Sequence, residues 1–217
     1  MKFKAILFDF DGLMFDTEKV WKEYFFKANH VFNANYTEQD RIEIIGRNEQ
    51  ALREVLKGKN PNLDVDAYRD WTREHAHNHI KNQKMDEKKG LINLLEYLKK
   101  EKLLTAIVSG SEKQIINSII EKSEVKNYNF SSYVTGDRKV KAKPNPDVYL
   151  KACEELGVKP EEAIVLEDAY LGVIAGKNAG CFTIMVPDTV LPNEEMKQIA
   201  NLILNDLDEV VEFLKNN

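Results

Sequence analysis

Two aspartates, Asp9 and Asp11, follow an apolar segment near the start of the chain, AILF at 5–8, and a second acidic pair, Glu167-Asp168, follows another, AIVL at 163–166. Carboxylates that stand so close repel each other, so a folded protein keeps them together only where something stabilises them. Hard oxygen ligands suit Mg²⁺, which usually shares its coordination shell with a substrate phosphate. The four acids therefore predict a magnesium site.

Two further polar positions follow the same pattern. Ser109, with Gly110 beside it, comes after the apolar run LLTAIV and before a helical pattern. A serine in that position can present its hydroxyl and the nearby backbone N–H groups to an anion. Lys143 precedes Pro144, which places a cation on a stiffened loop. A metal, a hydroxyl and a lysine around an aspartate predict a phosphoryl-transfer site, in which most of the catalysis is electrostatic.

Each of these residues has a second interpretation when it is taken alone. Asp9 and Asp11 can be solvated acids of a turn at a strand end. Ser109 can cap a helix. Lys143 can be a solvated charge in a basic loop, and Glu167-Asp168 can favour the start of the following helix. Their joint occurrence after apolar segments favours the site.

The elements that must position these side chains are short apolar runs. Each is nearly continuous, which is typical of a strand covered on both faces. Helical patterns lie between most of them, so the sequence predicts an α/β fold with a doubly wound parallel sheet. Ligands of such sheets bind beyond the carboxyl ends of the strands, where the polar residues fall. The predicted strands are KAILFDF, LLTAIVSG, FSSYVTGD, EAIVLED and FTIMVPD.

Residues 16–84 differ from the rest, because only helical patterns are recognisable there. A helical block between the first strand and the second predicts an inserted all-α domain over 16–84. The α/β core then comprises residues 1–15 and 85–217.

Composition narrows the class of protein. The chain has 217 residues and a formal net charge of −5, which gives no reason to expect a nucleic-acid partner. No apolar run approaches the length of a membrane span, and no signal pattern opens the chain. Cys153 and Cys181 lie in apolar segments and are expected to be small core residues in a reducing compartment. We therefore expect a cytoplasmic protein, and a monomer, because an inserted domain must open and close over the site.

Together the motifs resemble those of the haloacid dehalogenase superfamily, in the subgroup with a helical cap that includes sugar-phosphate phosphatases and β-phosphoglucomutases. The resemblance covers nearly the whole chain. It rests on DFDGLMFDTE, on the strand-end Ser109, on Lys143 of KPNPD and on the acidic pair of EDAYLGVIAGKNAG. The family more often has serine where this chain has Ala169, a difference of little expected consequence, since both acids are retained.

The resemblance implies a role for each site residue. Asp9 would be the nucleophile that becomes an aspartyl phosphate. Asp11 would be the general acid for the leaving oxygen and then the base for water. Ser109, with Gly110, and Lys143 would hold the phosphoryl oxygens.

The implied cofactor is Mg²⁺. The nucleophile Asp9, the backbone carbonyl of Asp11, and the pair Glu167 and Asp168 would hold it, with Asp168 the more direct ligand of that pair. Mg²⁺ and the lysine would offset the repulsion between the first two aspartates.

The cap offers weaker candidates. Trp21 can line a substrate pocket, but aromatic residues at helical spacing are more often core. Arg47 can reach the substrate or form a surface ion pair. His75 and His79 share a helix face, where they can bind a metal or simply face solvent.

These features predict a Mg²⁺-dependent phosphatase acting on a small phosphorylated metabolite, with a sugar phosphate as the expected class. The nearest alternative is a β-phosphoglucomutase. Two departures disfavour it, because Trp21 stands where those enzymes typically have histidine, and GRNE at 46–49 replaces their glycine-x-serine-arginine loop. A dehalogenase is disfavoured because a halide leaving group needs no acid such as Asp11. A non-catalytic binding module is a further alternative, against which the intact set of catalytic positions argues.

Overall fold

The sheet of this protein has six parallel strands, as seen in a computed structural model that describes residues 3–45 and 49–217, with Glu49 described by its backbone alone. Their order is β3-β2-β1-β4-β5-β6. The central position of β1 places its carboxyl end between those of β2 and β4. The strands are β1 Ala5–Phe8, β2 Leu104–Val108, β3 Ser132–Val134, β4 Ala163–Glu167, β5 Phe182–Met185 and β6 Leu202–Ile203.

Helices follow the strands on both faces of the sheet, which confirms the predicted fold class. Among the described residues, five of them stand between β1 and β2 along the chain: α1 to α4 form the inserted unit, and α5 accompanies the sheet together with the five helices that follow β2. The helices are α1 Glu18–Val31, α2 Glu38–Ile44, α3 Glu49–Lys59, α4 Val65–Asn82, α5 Leu91–Glu101, α6 Lys113–Ile120, α7 Asp147–Leu156, α8 Tyr170–Asn178, α9 Glu194–Ile199 and α10 Leu207–Lys215.

Strand β1 is inaccessible to solvent on both faces. Ile6 and Phe8 pack into one apolar cluster with α5 and α10, while Ala5 and Leu7 pack into another with α7. Alternate side chains of a strand point to opposite faces, so an uninterrupted apolar run is what a doubly covered strand requires. The same reasoning explains β4, all of whose residues are buried.

The sixth strand was not among the five predicted ones. Leu202–Ile203 is only two residues long and pairs with Ile184 and Met185 at the edge of the sheet. So short a run shows no periodicity that separates strand from loop.

The inserted helices have an apolar core of their own. It includes Phe25 of α1, Leu56 of α3 and Tyr68 of α4, whose hydroxyl donates to the carbonyl of Phe25 at 2.6 Å. This arrangement confirms the inserted all-α unit. Where the chain leaves and re-enters the core, Phe15 and Glu87 form an isolated β-bridge. The domain limits at residues 16 and 84 stay a prediction.

The base of the cap is joined to the α/β core by apolar contact. Val20 of α1 and Ala76 and Ile80 of α4 belong to the same apolar cluster as the sheet residues Ile6 and Phe8. The helices therefore rise from the core above the carboxyl ends of the strands, and a cleft separates the cap from those ends.

The two cysteines and the possibility of a membrane span are the other features about which the sequence makes a prediction. Cys153 and Cys181 are buried free thiols whose sulfur atoms lie 4.0 Å apart. Both pack in the apolar cluster beneath the sheet, as predicted for small core residues. Within the described ranges, no helix combines the length and the apolar character needed to cross a bilayer.

Candidate active site

The predicted site residues meet at one edge of the sheet. They follow β1, β2 and β4, which are neighbours, and parallel strands bring their carboxyl ends to the same edge. A cleft of about 280 Å³ there is lined by every predicted site residue that the structure describes, and Arg47 lies outside the described residues. The predicted residues in the cleft are Asp9, Asp11, Trp21, Ser109, Gly110, Lys143, Glu167 and Asp168.

Lys143 joins the two acidic motifs. Its Nζ donates to Asp9 Oδ1 and to Glu167 Oε1, each at 2.5 Å, and to the carbonyl of Val108 at 3.1 Å. Burial lowers the pKa of Lys143, but the two carboxylates outweigh it and raise that pKa above its ordinary value. The lysine is therefore held as a cation between Asp9 and Glu167.

Asp9 itself is almost completely buried. Burial raises its pKa to about 8, although the charge of Lys143 acts in the opposite direction. The nearby carboxylates of Glu167 and Asp11 raise it further. An anionic Asp9 thus needs positive charge beyond that of the lysine, and a bound cation would supply it.

Asp11 has a different set of partners. Ser111 Oγ and Ser109 Oγ donate to its Oδ2 at 2.7 and 3.2 Å, and Thr17 Oγ1 donates to its Oδ1 at 3.0 Å. The backbone N–H of Ser111 donates in turn to Ser109 Oγ at 2.9 Å. Three hydroxyls therefore orient Asp11 beside Asp9 without contacting the lysine.

The acidic cluster satisfies the chemistry of a magnesium site. Carboxylate oxygens of Asp9, Glu167 and Asp168 lie within 4.8 Å of one another. Desolvation, followed by the charges of Asp9 and Glu167, raises the pKa of Asp168 well above its ordinary value. Oxygen donors alone, with no nitrogen or sulfur ligand in the group, suit Mg²⁺.

Gly12 makes room for this cluster. Its φ is +84°, and a Cβ at this position would lie 2.2 Å from Asp168 Oδ2. The glycine that follows the two aspartates is therefore required both by the turn and by the close approach of Asp168.

Tyr149 of α7 is a site residue that the sequence did not reveal. Its hydroxyl donates to Glu167 Oε1, the oxygen that also accepts from Lys143, and the lysine lies over its ring at 5.4 Å. In the sequence, Tyr149 is one apolar-face residue of an amphipathic helix. Thr17 and Ser111 had a signal, since each lies inside a recognised motif, but neither was assigned a role.

The cap contributes the opposite wall. Trp21 lines the cleft, and its ring meets that of His77 edge-on, with centroids 5.3 Å apart. Glu18 is paired with Arg41 at 3.1 Å. Burial raises the pKa of Glu18, and the guanidinium opposes that effect.

The two cap histidines that share a helix face are engaged separately. His75 Nδ1 lies 2.8 Å from the carbonyl of Trp71, on whose ring the imidazole stacks. His79 Nδ1 lies 3.3 Å from the hydroxyl of Tyr24. In the part of the chain that the structure describes, neither belongs to a group of metal-ligating side chains.

Comparison with known proteins agrees with this geometry. A family profile described as haloacid dehalogenase-like hydrolase matches residues 6–186. The chain is 28% identical over 180 residues to the phosphorylated carbohydrates phosphatase of Thermotoga maritima, covering 82% of each chain. It is 27% identical over 191 residues to the pyrophosphatase PpaX of Bacillus mycoides, covering 88% of this chain and 86% of that one.

Two solved structures match this protein over nearly the whole length of both chains. A HAD hydrolase of family IA, variant 3, from Entamoeba histolytica superposes with a TM-score of 0.80 at 25% identity, covering 95% of this chain and 94% of that one. The β-phosphoglucomutase of Clostridium difficile superposes with a TM-score of 0.76 at 20% identity, covering 99% and 96%. The latter likeness shows the fold alone.

Proposed function

This chain belongs to the haloacid dehalogenase-like hydrolase family and is a phosphoric monoester hydrolase, and we propose that it is a Mg²⁺-dependent phosphatase of a small phosphorylated metabolite, with a sugar phosphate as the expected class. The observation that carries the proposal is the position of Lys143, which contacts Asp9 and Glu167 at once, with Asp11 held two residues away by hydroxyl groups. One carboxylate is thereby arranged for attack and the other for proton transfer.

In the first half-reaction, an Asp9 carboxylate oxygen forms a bond to phosphorus while the bond between phosphorus and the ester oxygen breaks. Lys143 already occupies Oδ1, which leaves Oδ2 for the attack. Asp11, in its protonated form, gives its proton to the leaving oxygen. Ser109, the backbone N–H of Gly110 and Lys143 then stabilise the charge on the transferring phosphoryl oxygens.

In the second half-reaction, water attacks the aspartyl phosphate at phosphorus. Asp11, now ionised, takes a proton from that water, and inorganic phosphate leaves as the Asp9 carboxylate is restored. The hydroxyls of Ser111 and Thr17 keep Asp11 in position for both steps.

Asp9, Glu167, Asp168 and the backbone carbonyl of Asp11 would hold the Mg²⁺, with Asp168 the more direct ligand of the acidic pair. When bound, the ion would supply positive charge that offsets the charge of the acidic cluster and of the phosphoryl group. The side chain of Asp11 faces the serines, so we assign only its backbone to the metal.

Hydrolysis of p-nitrophenyl phosphate tests the proposal. Asp9→Asn should lower kcat by more than about tenfold, which corresponds to about 1.4 kcal/mol of transition-state stabilisation. It should also abolish the alkali-labile, acid-stable phosphoenzyme. Asp137→Asn, which alters an acid after β3 outside the cleft, is the matched control and should keep full activity. Full activity of Asp9→Asn, or of the parent protein in EDTA, would sink the proposal.

The mutase alternative has its own assay. Trp21 occupies the cap wall where a sugar hydroxyl would have to compete with water for the phosphoryl group. We expect β-glucose 1-phosphate, with catalytic glucose 1,6-bisphosphate, to yield inorganic phosphate. A coupled glucose-6-phosphate dehydrogenase measures the glucose 6-phosphate formed. Production of glucose 6-phosphate faster than release of inorganic phosphate would make the mutase the better assignment. Action as a monomer in the cytoplasm stays a prediction.

A further inference from the structure

Two cavities adjoin the phosphoryl site, and each offers room for the rest of the substrate. The first, of about 290 Å³, shares Asp168 and Leu171 with the site and lies towards β5. The second, of about 280 Å³, shares Gly110 and Ser111 with the site and lies between α1 and α4. Both also share Glu18 with it, so both are continuous with the place where the phosphoryl group is transferred.

The first cavity is unsuited to a negatively charged group. Its wall carries Glu18, Glu43 and Asp168, and no lysine, arginine or histidine lines it among residues 3–45 and 49–217. Glu18 and Glu43 are already paired, with Arg41 at 3.1 Å and with Lys59 at 2.9 Å, so an anion placed there would face carboxylates whose cations are engaged.

The second cavity presents two guanidinium groups and an imidazole along one face of α4. Arg69, Arg73 and His77 all line it, and their spacing of four residues places them one above another on the helix. Arg69 is only 8% exposed, an unusual degree of burial for a guanidinium. Burial and then the charge of Arg73 lower the pKa of His77. The two side chains are therefore close enough to interact electrostatically.

The other charges of this cavity are largely matched. Arg41 is paired with Glu18 at 3.1 Å and with Glu38 at 3.0 Å. Glu112, which precedes α6, is the remaining acid of the wall, among the described residues. Arg73, in contrast, makes no hydrogen bond or ion pair to any residue that the structure describes. Arg73 therefore contributes positive charge to the wall of a cavity that opens on the phosphoryl site.

We propose that the substrate carries a second anionic group, a phosphate or a carboxylate, which Arg69, Arg73 and His77 bind while its phosphoester lies at Asp9. This inference deepens the proposed phosphatase function and rests on it. Guanidinium groups recognise both anions through paired N–H donors. Trp21 lines both this cavity and the phosphoryl site, and Ile44 lines the cavity, so the carbon skeleton would lie against apolar surface.

Binding to the Asp9→Asn protein tests the proposal without turnover. Two matched pairs of probes are titrated by calorimetry: fructose 6-phosphate against fructose 1,6-bisphosphate, and glycerol 3-phosphate against 3-phosphoglycerate. In at least one pair, the probe with the second anion should bind about tenfold more tightly or better. The pair that shows the gain identifies the anion as phosphate or carboxylate.

Variants of α4 assign the effect to residues. In the Asp9→Asn background, Arg73→Gln should reduce the preference to about threefold or less, and His77→Gln should weaken it further in the double variant. Arg53→Gln is the matched control, because Arg53 is a cap arginine that pairs with Asp66 and Asp70 away from the cleft. It should leave the preference unchanged.

Two results would overturn the inference: no preference in either pair, or a preference that survives in the Arg73→Gln/His77→Gln protein. Failure of the proposed function is a separate observation. It would appear as absence of phosphate release from p-nitrophenyl phosphate by the unmutated protein, whatever the binding preference.

Discussion

Lys143 neutralises two buried carboxylates at the same time, and this is the residue-scale feature on which the site depends. Its side chain is 17% exposed, that of Asp9 is 11% exposed and that of Glu167 is 1% exposed. Carboxylates in such surroundings are tolerated only when they are paired and hydrogen-bonded.

Removal of that lysine should therefore damage both stability and activity. Lys143→Met leaves the buried carboxyl groups of Asp9 and Glu167 without their cationic partner, which should lower the free energy of unfolding by about 3–5 kcal/mol. Urea unfolding at neutral pH measures this loss. Lys141→Met is the control on the same loop. The Lys141 side chain is 74% exposed and its ion pair with Asp147 is long, at 3.9 Å, so this substitution should hardly change the free energy of unfolding. Equal stability of the two variants would contradict this account of Lys143.

Tyr149 permits a finer test, because a matched tyrosine exists elsewhere. Tyr149→Phe removes one hydrogen bond to the Glu167 side chain, which Lys143 also contacts, and should cost about 1.5–3 kcal/mol of stability, together with a measurable fall in kcat. Tyr36→Phe removes a hydrogen bond to the carbonyl of Leu56 in the cap and should cost about 0.5–1.5 kcal/mol with kcat unchanged. Equal kcat values in the two variants would show that Tyr149 does not position Glu167 for catalysis.

The residues that sequence analysis brought together are those placed by strand ends. Asp9, Ser109 and Asp168 each follow a recognisable apolar run, and parallel strands leave no other place for their side chains to meet. Tyr149 was missed for the opposite reason. A helix residue approaches the site only through the packing of α7 beneath the sheet, and no local pattern records that packing.

At the scale of elements, the long helices and strands could be predicted from the sequence and the shortest strand could not. Helices such as α4 and α7 repeat their apolar spacing over several turns, whereas β6 has two residues and owes its pairing to the neighbouring β5. The existence of the cap could be predicted because four helical patterns occur together. Its limits could not, because Phe15 and Glu87 pair only once the chain has folded back.

Helix α8 carries a glycine that the site requires. A Cβ on Gly172 would lie 1.9 Å from the carboxylate of Glu167, so Gly172→Ala should displace that side chain, lower stability by about 1–3 kcal/mol and reduce kcat. Gly58 of α3 has open space around the same position, so Gly58→Ala should raise stability by about 0.5–1 kcal/mol. Thermal unfolding compares the two, and a stabilised Gly172→Ala protein would show that Glu167 has room to move.

An ion pair fastens α7 to the end of β3 and should respond to pH. Glu155 accepts from Arg138 at 2.6 Å and from Ser132 at 2.5 Å, and these hydrogen bonds lower its pKa from 4.5 to about 2. A lowered folded-state pKa adds stability above the unfolded pKa, and that stability is lost as the pH falls through the folded value.

Arg138→Gln should therefore lose on the order of 1 kcal/mol or less at neutral pH, since the pair is partly exposed. The difference from the parent protein should shrink between about pH 5 and about pH 2, as Glu155 becomes protonated in both. Urea unfolding across that range measures it. A difference that stays constant with pH would mean that Arg138 acts through its bond to the carbonyl of Tyr133 alone.

At the scale of the whole molecule, the two apolar cores have different tasks. The core around Ile6 and Phe8 holds the strand ends in register, and the core around Phe25 and Tyr68 holds the cap helices. The cleft lies between them. The phosphoryl chemistry can therefore be carried by the α/β core, while the residues of α4 select what the phosphoryl group is attached to.

Mg²⁺ bound at the proposed site should couple the acidic cluster to the stability of the whole fold. An ion that binds only the folded chain stabilises it by about 2.7 kcal/mol at a hundred times its Kd. For a chain of this size, that corresponds to a rise in Tm of roughly 5–10 °C. Asp168→Asn should abolish the rise. In EDTA, the same variant should be at least as stable as the parent, because one of several mutually repelling carboxylates has been removed.

Asp188→Asn is the control, since Asp188 follows β5 and pairs with Lys88 at 2.5 Å outside the cluster, and it should keep the full Mg²⁺ effect. Scanning calorimetry of the three proteins with Mg²⁺ and with EDTA decides the matter, and an undiminished rise in Asp168→Asn would place the ion elsewhere.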